Sequence, residues 1–160
     1  MKPGRSQSLS VHNPPRIGSH RVLPAIRAEV GAGASAGYEL KLLFSAPGAS
    51  LSYVWFKSGF PLPRHSHNVD CLYYIVGGSL LIGHEELGVG DGFFVGHDVP
   101  YTYRPGPAGV EVLEFRAADV FNIQVMANNP AFWDAAVETV RNHRAAWSNE
   151  PRPCTVKLLP

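Results

Sequence analysis

The sequence predicts an all-β domain, an antiparallel sandwich or barrel with one C-terminal helix and an N-terminal arm. Three observations point there. Between Tyr38 and Phe115 short aromatic and β-branched segments alternate with glycine and proline clusters, the pattern of strands joined by turns. Sixteen Gly and fourteen Pro in 160 residues are too many for a helical bundle. Helical periodicity is found in one place only, after Asn129.

Taken in order, residues 1–30 read as an arm, 31–122 as the barrel, and 123–160 as a helix followed by an extended tail. The opening "MKPGRSQSLSVHNPP" lacks the apolar centre of a secretion signal, and the chain contains no 18-residue apolar run. With only two cysteines, Cys71 and Cys154, these features suggest a reducing, cytoplasmic setting. An even charge balance, net +1, leaves no electrostatic footprint for nucleic acid or an anionic membrane.

Gly31 to Gly37 forms a small-residue linker into a strand at Tyr38 to Phe44. Pro47-Gly48 then turns the chain into a second strand, where Leu51, Tyr53 and Trp55 share one face. Further strands are expected at Leu72 to Val76, Ser79 to Ile82, Gly92 to Val95, Tyr101 to Tyr103 and Val110 to Phe115. Gly77-Gly78 and Pro105 to Gly109 are among their separators. In the helix, Asn129 is the N-cap and Pro130 the first helical residue. Phe132, Ala136 and Val140, with Trp133 and Val137, form a stripe that packs outside the barrel or on another subunit.

The chemistry is concentrated in "GFPLPRHSHNVDCLYYIVGG". Residues two apart on a strand face one side, so His65 and His67 point together, a pairing suited to a first-row divalent metal. Parity adds Cys71, Tyr73 and Ile75 to that face and turns Asp70, Leu72 and Tyr74 outward. A bulge after His67 would reverse this and bring Asp70 in as the alternative ligand.

Gly59, five residues, His65-x-His67, three residues, Cys71, six residues, Gly78 resembles the first motif of the cupins, small jelly-roll barrels. "LGVGDGFFVGHDVPYTY" is similar to their second motif. In this resemblance Cys71 stands where the family has a glutamate ligand and Tyr101 where it has a third histidine, while Gly96 stands for a proline. His97 falls four residues too early to replace the histidine. The resemblance implies one divalent metal (Fe, Zn, Mn or Ni) held by His65, His67 and Cys71, with Tyr101 catalytic. The alternative is a binding or sensing barrel that has lost its metal.

The implied partner is a small organic molecule, aromatic or carbonyl-containing, transformed by Lewis-acid lyase, isomerase or cyclase chemistry or by dioxygenation. Tyr53, Trp55, Tyr73, Phe94 and Tyr103 are the candidate cavity wall. A homodimer is the default assembly, in which the arm could add a strand to a partner's sheet edge.

Overall fold

The computed structural model describes residues 33–154, so the arm at 1–30 and the last six residues of the tail lie outside the described residues. Among the described residues the named elements follow in order: β1 Tyr38–Ala46, β2 Ala49–Phe56, β3 His65–Ser66, β4 Cys71–Ile82, β5 Glu85–Gly88, β6 Gly92–Val95, β7 Arg104–Arg116, β8 Gln124–Val125 and α1 Pro130–Trp147. The main sheet is antiparallel with order β1-β2-β7-β4-β5, and β6 also pairs with β4. Close to the histidines, β3 pairs with β8, and an isolated bridge joins His65 to Tyr101.

Inward faces of β2, β4, β6 and β7 enclose one core of Val54, Cys71, Tyr73, Ile75, Leu80, Val95, Val110 and Val112, with Tyr101 and Tyr103. The alternation expected along β4 is present: Cys71, Tyr73 and Ile75 are buried, and Leu72 and Tyr74 are half exposed. Burying these apolar side chains is the main favourable term in closing the barrel.

Several expected boundaries differ. Gly77-Gly78 is not a turn. β4 runs through it with register shifts at Ile75/Gly77 and Gly78/Leu80, as bulged strands do. Gly78 has φ 69°, and a Cβ there would lie 2.1 Å from the Gly109 carbonyl oxygen, so the strands cross too closely for any side chain. Likewise β7 begins at Arg104 and includes Pro105 and Pro107. Only β4 pairs with that first stretch, since β2 joins from Val110 onward, so the missing proline N–H groups can face the unpaired side. Tyr101 to Tyr103 makes no ladder beyond the single bridge.

The helix begins as expected, with Asn129 Oδ1 accepting from the Ala131 N–H at 3.0 Å and Pro130 following. Its Val140 and Trp147 pack on Phe60, Phe56 and Leu62 outside the barrel. Trp147 Nε1 donates to the Ser58 carbonyl at 2.9 Å and fastens the helix there. Cys71 and Cys154 are not disulfide-bonded. Among the described residues no helix is long and apolar enough to cross a membrane.

Candidate functional site

β3 carries His65 into the barrel, held by reciprocal backbone bonds to Tyr101 on one side and, where β8 pairs on the other, by the Met126 N–H donating to the Arg64 carbonyl. His67 follows two residues later on the same side, and the imidazole centroids are 5.2 Å apart. Both side chains are buried, at 4% and 6% exposure. His65 Nδ1 lies 2.8 Å from the Pro63 carbonyl, and His67 Nδ1 lies 2.7 Å from the Asn122 carbonyl. A carbonyl only accepts, so each Nδ1 carries a proton and each neutral ring keeps its lone pair on Nε2. Burial lowers both pKa values, His67 to about 4, against the raising effect of the carbonyl contacts and with help from the Arg116 charge. At neutral pH both rings are uncharged.

Tyr101 is the next partner. Its hydroxyl lies 2.9 Å from His65 Nε2 and is also hydrogen-bonded to the Tyr73 hydroxyl. Because His65 Nε2 accepts, Tyr101 donates to it and Tyr73 donates to Tyr101. Burial, then the Glu114 carboxylate, pushes both phenols far above their ordinary range. Tyr73 stacks on Phe93 with centroids 4.5 Å apart and planes 8° apart, and Tyr103 closes the same aromatic wall.

The last members come from β7. Inward parity along "VEVLEFR" selects Val110, Val112, Glu114 and Arg116, which lie opposite Gly78, Ile75, Tyr73 and Cys71 in the register. Glu114 and Arg116 are 5% and 4% exposed and form an ion pair through Arg116 Nη2. Arg116 stays charged: burial works against it, and Glu114 more than offsets that. Its Nε and Nη1 are buried with no hydrogen-bond partner. The Phe121 ring covers the guanidinium at 4.2 Å and touches His67 edge-on.

The residues expected from sequence thus divide. His65, His67, Cys71, Tyr73, Tyr101 and Tyr103 converge inside the barrel. Asp70 does not: it stands half exposed, accepting from the His97 N–H at 2.8 Å, with the His97 ring beside it. Tyr53 and Trp55 are also outside. Inward positions of β2 are Ser50, Ser52 and Val54, and the two aromatics face outward under Arg152, whose guanidinium lies 5.3 and 5.0 Å from their rings. They are buried by the C-terminal segment and not by the barrel, which apolar patterning alone cannot distinguish. Phe94 is 64% exposed beside Leu72, and its neighbour Phe93 supplies the wall.

Sequence reasoning missed Glu114, Arg116, Phe93 and Phe121. For the first two a signal existed in the parity that places them with Val110 and Val112. Glu111, only three residues from Glu114, hid it by putting a carboxylate on the other face of the same strand.

A metal centre needs more than the two imidazoles. Their Nδ1 anchors are the kind of support that metal-bound histidines use. The remaining donors do not complete a set. The Cys71 Sγ donates to the Val69 carbonyl at 3.5 Å, and the Tyr101 hydroxyl is engaged by His65 and Tyr73. Glu114 is taken by Arg116, and a guanidinium cation sits within the cluster. Among the described residues no three of His, Cys, Asp and Glu gather where they could hold an ion. The residues present do not fit the ligand set that the sequence resemblance implied. A separate cavity of about 630 Å³ opens where β4 ends and β7 begins, between Phe60, Leu80, Pro105 and Phe132. It is not lined by the histidines.

No family model matches the chain, and no curated protein matches it. Solved structures do. The polyketide cyclase RemF from Streptomyces resistomycificus is similar at TM-score 0.52 and 16% identity, over 65% of this chain and 83% of that one. The DMSP lyase DddQ from Ruegeria pomeroyi DSS-3 is similar at 0.50 and 21%, over 57% of this chain and 53% of that one. A salicylate 1,2-dioxygenase from Pseudoaminobacter salicylatoxidans is similar at 0.50 and 13%, over 57% of this chain and 30% of that one. At such identities the likeness is one of fold, and the fold of this chain is the cupin barrel.

Proposed function

We propose that the barrel takes up a small organic molecule bearing a carbonyl or carboxylate oxygen and acts on it by acid–base chemistry. The observation that carries this is Arg116, a buried guanidinium with two unpartnered nitrogens, Nε and Nη1, beside two neutral imidazoles. A buried donor left unmade costs about 1–3 kcal/mol, and a ligand oxygen would recover it. Natural proteins leave few such groups without a reason.

Arg116 would bind and polarise the oxygen. Tyr101, with Tyr73 donating to it, would turn its single O–H from His65 Nε2 to the same oxygen. The free Nε2 of His67 would take a proton from the adjacent carbon. Tyr73 and Phe93 stack on each other and Tyr103 meets both edge-on, which gives the cluster an aromatic wall. Folds similar to this one belong to proteins named as a lyase, a cyclase and a dioxygenase, so the reaction is read from the site and not from the fold.

The test has two arms. Untagged protein and a His65→Ala/His67→Ala variant are grown metal-replete and analysed for metal. The wild type is then screened by thermal shift against small carboxylates and ketones and the matching alcohols. The expected result is equal, negligible metal in both proteins, with stabilisation confined to carboxylates and ketones and abolished in Arg116→Met. Stoichiometric metal that the double variant loses, or stabilisation indifferent to Arg116, overturns the reading.

A further inference from the structure

The second cavity, away from the histidines, carries two opposite charges on its rim that do not pair with each other. It is the space of about 630 Å³ between the segment around Phe60, the end of β4, the start of β7 and the first turn of α1. That size falls within the ~300–1,000 Å³ of small-molecule sites. Phe60, Leu62, Leu80, Leu81, Pro105 and Phe132 make its lining mostly apolar. The stretch from Tyr101 to Arg104 divides it from the histidines: Tyr101 and Tyr103 belong to the core, whereas Thr102 and Arg104 line the cavity. Thr102 Oγ1 donates to the Leu62 carbonyl at 2.8 Å, which ties two of the walls together, and Phe60 is buried against Trp147. The cavity is preformed.

On the rim, Glu86 of β5 and Arg104 of β7 are both register partners of Leu81 in β4. Directly opposed residues in antiparallel strands point to the same side, so the three form a row with the apolar residue in the middle. Two strand spacings, about 9.5 Å, separate the backbones of Glu86 and Arg104. Both side chains are exposed, and among the described residues neither makes an ion pair or a side-chain hydrogen bond. A carboxylate and a guanidinium thus stand at opposite ends of an apolar floor.

We infer that this cavity binds a short apolar peptide with free termini, two or three residues long. Its ammonium would meet Glu86 and its carboxylate Arg104, whose planar fork suits a carboxylate. An extended chain advances about 3.3 Å per residue, so three residues span about 10 Å, close to the separation of the two rim positions. A fatty acid or an amine would leave one rim charge without a counterpart. A free amino acid carries both charges but holds them too close together and leaves most of the lining uncovered. The peptide's side chains would cover Leu81 and reach Phe60, Leu62 and Phe132, and the apolar area they bury supplies most of the affinity. Because the cavity opens to solvent, the inner amide groups of the peptide stay hydrated. The site stands apart from the histidines and needs none of the chemistry proposed for them.

Calorimetric titration of the full chain tests this, with a leucine-rich tripeptide, the same peptide N-acetylated and the same peptide C-amidated. Saturable binding of the free peptide, one per chain, is expected with a Kd below about 1 mM, a modest demand for a ligand of this size. Each cap is expected to weaken binding by about 3- to 5-fold, the worth of one exposed ion pair. Glu86→Gln should bind the free and acetylated peptides alike, and Arg104→Gln the free and amidated peptides alike. Both residues are exposed and unpaired among the described residues, so the variants should unfold at the wild-type temperature. Phe132→Ala, which strips apolar lining, should weaken all three peptides by the same factor. The absence of saturable binding by the free peptide overturns the inference, whatever else fills the cavity. So does binding that ignores both caps, or a cap effect that persists in both charge variants.

Discussion

Two buried glutamates stand three residues apart on β7 and face opposite ways. Glu111 lies on the outer face. Its Oε1 accepts from the Tyr53 hydroxyl, its Oε2 accepts from the Cys154 N–H at 2.6 Å, and Arg152 approaches at 3.7 Å before pairing with Glu39. Both carboxylate oxygens are used, and together they fasten the C-terminal segment to the sheet. Glu114 lies on the inner face with one strong partner, Arg116, which keeps two nitrogens unmatched. The first cluster is closed, although the Trp55 Nε1 beside it has no partner. The second keeps donors unmatched. Equal burial of equal residue types therefore yields a clasp on one side of a strand and an incompletely bonded pair on the other, and the difference lies in which hydrogen bonds are already made.

The comparison breaks most visibly if the clasp is cut. Glu111→Ala leaves the Tyr53 hydroxyl and the Cys154 N–H without an acceptor in a 2%-exposed position. The expected cost is about 3 kcal/mol in urea-induced unfolding. A change below about 1 kcal/mol would show that the clasp holds nothing.

Acid acts on the other side. His67 is held neutral down to about 4, whereas in the unfolded chain it titrates near 6.5. Between those values the unfolded state binds more protons, so stability is complete above about 6.5 and falls as pH drops towards 4. The loss attributable to His67 is about 3 kcal/mol, from roughly 1.4 kcal/mol per pH unit. His65 adds in the same direction. His67→Gln should remove most of this slope while leaving stability at pH 8 comparatively unchanged, as followed by melting temperature across pH.

The smallest expected effect on stability is the most diagnostic of function. Replacing both members of the inner pair, Glu114→Gln with Arg116→Met, removes two desolvated charges together and should change stability by no more than about 1 kcal/mol. Stabilisation by carboxylates or ketones should disappear in the same variant. A pair that proves as costly to replace as Glu111 would make the inner cluster another clasp.

Much of this was legible from parity. The placement of Cys71, Tyr73 and Ile75 follows from period-two alternation along β4 up to the register shift at Gly77, whereas β3 ends at Ser66 and a bend at 68–69 separates His65 and His67 from β4. Alternation tells which residues share a face; it does not tell which face is inside. On β2 the polar serines 50 and 52 line the interior, and the aromatics Tyr53 and Trp55 are buried outside by Arg152, a residue about a hundred positions away. Phe93 and Phe94 are adjacent and chemically alike, so their sides follow only from the pairing of Phe93 with Tyr73 and of Phe94 with Leu72. Phe121 and the Asn122 carbonyl reach the site through loop geometry, for which a sequence has no period.

Both imidazoles take their proton position from main-chain carbonyls, those of Pro63 and Asn122. A carbonyl belongs to every residue type, so exchanging the side chain at either position leaves the instruction in place. The loop around Asn122 can therefore drift in sequence, altering the shape and polarity of what covers Arg116, while the electronic state of the two rings underneath stays the same.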